Sequence, residues 1–193
     1  MLNWNRDAAG IAANIDKVGF RFPFLAIPVF LASDPLYRLL ALLGFGQKVG
    51  PHFGILQDQY LFLTTHGVAD RNLAFDFQIF EFFIVIATGL CVAKLCWAVI
   101  APGSLASFDA LVARAKAKHL VVHKGILHFI IGGAVGMFFS TNFSAASSAP
   151  QIKMLMLGSP RTFICFCTIL FCTCEFFFVY GLLFAAFLVR RRL

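Results

Sequence analysis

Charge is what this chain lacks most. Of its 193 residues only 13% are Asp, Glu, Lys or Arg, while 60% are apolar. A soluble domain carries about a quarter charged residues, so a water-facing globule of this size could not cover its own surface. A lipid solvent or a large partner surface is implied. Acids are scarcer than bases, nine against sixteen, which leaves a net charge of +7. That excess does not point to nucleic acid. The basic residues gather at the ends of apolar runs, where Lys and Arg mark the cytoplasmic or matrix side of a membrane. The 25 Phe lie inside those runs, without the interleaved basic residues of a base-stacking platform.

Motifs for chemistry are also missing. There is no phosphate loop, no dinucleotide glycine signature and no nucleophile elbow, so no enzymatic activity is expected of the chain. No inverted repeat is visible, which argues against a secondary transporter. The six cysteines, Cys91, Cys96, Cys165, Cys167, Cys172 and Cys174, include no Cys-x-x-Cys pair and all fall in apolar runs. Cys165 and Cys172, and likewise Cys167 and Cys174, repeat at seven residues, but only Glu175 stands near them as a further ligand. A buried free cysteine packs as a small hydrophobe, and that is the role expected here. A cleavable leader is not expected either, because the first twenty residues mix Arg6 and Lys17 with Asp7 and Asp16 and have no apolar core.

What remains is a series of long apolar runs. Residues 78–101 end at Pro102-Gly103, residues 120–140 follow a polar connector, and residues 162–189 precede Arg190-Arg191-Arg192. A hydrocarbon core needs about 20 apolar residues in helical form, and only helices or closed barrels satisfy their backbone there. The fold class expected is an all-α integral membrane protein with three transmembrane helices, plus a broken N-terminal apolar hairpin or fourth span. Four regions follow: an interfacial segment over 1–21, the broken stretch over 22–46, a polar extramembrane loop over 47–77, and a three-helix bundle with a basic tail over 78–193.

The stretch 22–46 holds Pro23, Pro28 and Pro35, with Asp34 and Arg38 in its middle. Ser33-Asp34-Pro35 has the form of a helix start, a capping residue followed by proline at the first helical position. Two short segments, 22–32 and 35–45, forming a half-inserted hairpin are therefore expected, with one kinked span as the alternative. Asp34 and Arg38 are four apart and able to pair on a helix surface.

Charge sets the orientation. Arg114, Lys116 and Lys118 precede the second run, Lys124 lies near its start, and three Arg end the chain, which places both basic ends on the cytoplasmic or matrix side. The first and third runs then cross in the same direction.

Lys94, His128 and Glu175 are ionisable residues deep inside the runs. Such residues are costly in lipid and face a bundle interior. At 1.5 Å of rise per residue, their depths from the outer ends are about 24, 18 and 20 Å, so all three can share one layer as a buried polar cluster. It serves as a register-fixing ion pair or as a proton relay. Glu81, near the outer end of its run, is expected to reach the interface. His119 and His123 share a helix face, as metal ligands do, but Lys116, Lys118 and Lys124 beside them oppose a cation, and haem is only an alternative. Gly132 and Gly136, with Gly125 and Gly133, form a small-residue face suited to close helix packing.

The function expected from these observations is that of a non-catalytic accessory subunit of a larger membrane complex. The host is a bacterial plasma membrane or an organelle inner membrane of the energy-transducing kind. Its partners are other membrane subunits and bound lipids, with no cofactor or metal of its own. A homo-oligomeric channel or proton-coupled transporter, and a haem- or pigment-binding subunit, are the alternatives.

Overall fold

The computed structural model describes residues 14, 17–44, 56–68, 71–100, 113, 122–142 and 149–190. Among these the regular structure is helical throughout, with no strand. The helices are α1 (Lys17–Leu42), α2 (Gln57–Thr65), α3 (Arg71–Ile100), α4 (Val122–Thr141), α5 (Pro150–Gly158) and α6 (Pro160–Arg190). Three are long and apolar enough to cross a membrane: Lys17–Leu42, Leu73–Ala98 and Pro160–Val189. The number of full-length helices matches expectation, but their membership does not. The run expected at 120–140 is a shorter helix of 20 residues, Val122–Thr141, whose rise of about 30 Å is close to the thickness of a hydrocarbon core.

The expected half-inserted hairpin at 22–46 is absent. Residues 17–42 form one helical run in which a 3-10 turn, Phe22–Leu25, gives way to regular helix over Ala26–Leu42. Pro35 lies inside that helix and does not end it. The cap proposed at Ser33 is spent otherwise, since its hydroxyl donates to the Phe30 carbonyl 2.8 Å away, one turn back. Pro28 occupies the first turn of the regular stretch, where backbone N–H groups lack intrahelical partners in any case. A single full-length helical run is the form observed. The interfacial segment expected over 1–21 lies mostly outside the described residues, and its described end, residues 17–21, is already part of α1.

α3 begins at Arg71, seven residues before the expected start at 78. The reason is Asp76, which reads as a loop residue but is buried and ion-paired. The loop assigned to 47–77 therefore contains the first turns of α3 as well as α2. α5 and α6 each start with proline at the first helical position, which loses no hydrogen bond there. Ser159 separates them, its carbonyl accepting the Phe163 N–H at 3.0 Å.

The chain divides into two compact units, and α1, α3, α4 and α6 contribute to both. One unit comprises Phe22–Ile86 and Gly136–Cys172. Its core is built from fully buried Leu56, Leu63, Leu73, Phe77, Phe80 and Ile164. α2 is fastened over this core at three points. Tyr60 meets Phe77 edge to face at 5.7 Å. The Leu56 N–H donates to Glu81 at 3.1 Å. Gln59 Nε2 donates to the Thr141 carbonyl at 2.5 Å, one of the carbonyls that the end of α4 leaves without an intrahelical donor. In this unit α3 and α6 are parallel, since their partners pair in rising order, Asp76 with Arg161 and Phe83 with Cys172.

The other unit comprises Met1–Arg21, Ala87–Val135 and Thr173–Leu193. Cys91, Phe176 and Val179 form its buried cluster, flanked by Leu95, Tyr180 and Leu183. Phe20 packs on Phe176 and Tyr180, with ring centroids at 5.1 and 5.8 Å. α4 crosses α6 in the opposite sense. A Cβ on Gly133 would lie 2.7 Å from the Cys174 carbonyl oxygen, and one on Gly181 would lie 2.6 Å from Ile130. Both glycines are needed for that approach, which is how small residues act between membrane helices.

Candidate functional site: two polar centres in apolar helices

The first centre is built around Arg161. It stands in the first turn of α6, next to Pro160, where a positive charge opposes the helix dipole. Two carboxylates offset it. Its Nε donates to Asp76 Oδ2 at 2.7 Å, and its Nη1 lies 3.6 Å from Asp34 Oδ1. Its Nη2 also donates to the Ser33 hydroxyl. Asp34 in turn holds Arg38 at 3.2 Å through Oδ2, the i,i+4 contact on α1. Asp76 and Ser33 are fully buried, while Arg161 and Asp34 keep about a third of their side-chain surface exposed. Among the described residues the two acids offset the two arginines, and the cluster joins α1, α3 and α6. The planar guanidinium suits this task because its fork of donors reaches three groups at once.

Sequence reasoning found Asp34 with Arg38 because their spacing is local. It missed Arg161 and Asp76 as members, treating them as loop residues. Nothing local marks contacts across 85 and 128 residues of chain.

The second centre contains two of the three residues expected to share a layer. Lys94 on α3 and Glu175 on α6 are each only 9% exposed. They are engaged by different neighbours. The Thr88 hydroxyl donates to Glu175 Oε1 at 2.8 Å. The ammonium of Lys94 sits over the Tyr180 ring, 5.3 Å from its centroid, within reach of a cation–π attraction. Thr88 and Tyr180 are the functional neighbours that sequence reasoning left out. Their signal was present, since Thr88, Cys91 and Lys94 recur at three-residue steps along one helix face. His128 stands apart in burial, on an exposed position of α4.

Other expected residues are placed as follows. Glu81 does not reach the interface. It is fully buried, and its Oε1 accepts the Leu56 N–H, because α2 covers that end of α3. Of the glycine face, Gly133 makes the close helix contact, whereas a Cβ at Gly125 or Gly132 would meet nothing within 4 Å. Gly136 is half-buried. All six cysteines are free, with Cys91, Cys167 and Cys172 buried. Among the described residues, no three His, Cys, Asp or Glu side chains converge as a metal site would require. His52 and His119 lie outside the described residues, as does the side chain of His123.

The helices and the two polar centres define a class, a polytopic α-helical membrane protein whose apolar helices are cross-linked by buried polar contacts. No protein-family model matches the chain, and neither does any curated protein or solved structure.

Proposed function

We propose that the chain is a non-catalytic subunit of a larger membrane protein complex, in a bacterial plasma membrane or an organelle inner membrane. On this reading the basic C-terminus faces the cytoplasm or matrix, as the distribution of Lys and Arg favours. The observation that carries the reading is Gly132. It lies in open space on α4, among exposed Leu127, Ile131, Val135 and Phe138. Lipid covers large apolar side chains well, but a bare glycine backbone on such a face suits a second helix at close range. The polar centres support the same reading, because their geometry ties helices together.

Native mass spectrometry of the particle released in mild detergent tests the proposal. The expected particle contains this chain and other polypeptides in fixed ratio. Gly132→Leu, whose Cβ meets no atom of its own chain within 4 Å, is expected to lower the share of those polypeptides without changing the melting temperature of the isolated chain. A particle of 21.3 kDa, the mass of one chain, or a simple multiple of it, contradicts the reading.

A further inference from the structure

We propose that Glu175 is a reversible proton-binding site within the membrane, with Thr88 as its fixed hydrogen-bond donor. Glu175 lies fifteen residues beyond Pro160, so it is about 22 Å along the helix from that end, in the middle of the apolar run 160–189. The residue is only 9% exposed. One oxygen, Oε1, accepts from Thr88. The other, Oε2, is buried and has no hydrogen-bond partner. A carboxylate oxygen left in that state carries its full desolvation cost. Binding a proton at Oε2 removes the charge and leaves the Thr88 bond intact, because Oε1 remains an acceptor in both forms.

The surroundings supply what a reversible site needs. From α3, Thr88, Cys91 and Lys94 line the side that faces α6. From α6 come Phe176, Val179 and Tyr180, with Lys94 over the Tyr180 ring. The N-terminal part of α1 contributes Phe20 against Phe176, while its Lys17 and Arg21 are exposed. α4 brings Gly133 against the Cys174 carbonyl and keeps His128 at an exposed position. Among the described residues Lys94 is the buried basic side chain on the facing helix, seated over the Tyr180 ring. The step is simple: one proton passes from water to Oε2, the carboxylate becomes a carboxylic acid, and no other bond changes. Ionisable residues that face a bundle interior at such depth serve proton relays. The site belongs to a single chain and stands whether or not other subunits surround it.

Infrared difference spectroscopy of the purified full chain in lipid, titrated with pH, reads the carboxyl C=O stretch. The expected result is a titrating carboxyl band that is lost in Glu175→Gln. In Thr88→Val the band persists but is shifted, and Thr88→Ser restores its position. Spectra of the parent and Glu175→Gln that superimpose across the whole titration overturn the proposal. So does a band that follows sodium concentration at fixed pH, since the ligand is then a metal cation. Should Glu175→Gln fail to fold, the Thr88→Val shift decides: an unmoved band rules the site out.

Discussion

Arg161 shows how much of this protein rests on single side chains. Its guanidinium faces Asp76, which is wholly buried. Removing the arginine weakens the compensation of that buried charge; breaking a fully buried pair costs about 3–5 kcal/mol, an upper bound here because Arg161 is partly exposed. Arg161→Leu is therefore expected to lower the stability of the chain in detergent by up to that amount, measured by thermal or denaturant unfolding. Arg161→Lys is expected to recover only part of the loss, because an ammonium cannot reproduce the fork that reaches Asp76, Asp34 and Ser33 together. Adding Asp76→Asn to Arg161→Leu should restore part of the stability relative to Arg161→Leu alone, since a buried charge that has lost its arginine is then removed. An Arg161→Leu protein as stable as the parent would show the contact to be incidental. The residue scale is also where the sequence was least informative. Asp34 and Arg38 were legible from a spacing of four. The buried roles of Asp76 and Glu81 were not, because whether an acid near a helix end meets water depends on which distant segment covers it. For Glu81 that segment is α2, whose Leu56 supplies the N–H.

At the scale of elements, apolar length was readable and breaks were not. The runs at 78–101 and 162–189 correspond to α3 and α6 because lipid requires uninterrupted backbone hydrogen bonding, and composition records that demand directly. The stretch at 22–46 misled because Ser33-Asp34-Pro35 carries every local sign of a helix start. In the structure Ser33 bonds back to Phe30 and also meets Arg161, so the helix runs on through Pro35. Packing between elements was half legible. Four glycines of α4 marked it as a packing helix, but not which of them makes contact. That depends on the side α4 turns to α6, and the structure selects Gly133. A Cβ there would press on backbone atoms of α6 at 2.7–2.9 Å, which cannot be relieved by a side-chain rotation. Gly133→Ala is expected to destabilise the chain by about 1–3 kcal/mol, the usual cost of overpacking. Gly125→Ala, where nothing lies within 4 Å, is expected to be neutral or slightly stabilising through better helix propensity. Unfolding midpoints of the two variants check this, and equal losses would contradict the packing described here.

For the molecule as a whole, the central claim is that long apolar helices cross a membrane, with α3 and α6 crossing in the same direction. That parallel sense appears inside each compact unit, from Asp76 with Arg161 in one and from Thr88 with Glu175 and Lys94 with Tyr180 in the other. Charge asymmetry in the sequence led to the same expectation by an unrelated route. Site-directed thiol labelling in sealed vesicles tests it most directly. In a variant with all six native cysteines replaced, single cysteines are introduced at Asn72 and Ser159, beside the starts of α3 and α6, and at Ile100 and Val189, beside their ends. A membrane-impermeant reagent is expected to reach positions 72 and 159 from one side of the membrane, and positions 100 and 189 only from the other. Labelling of both ends of either helix from the same side would contradict the account.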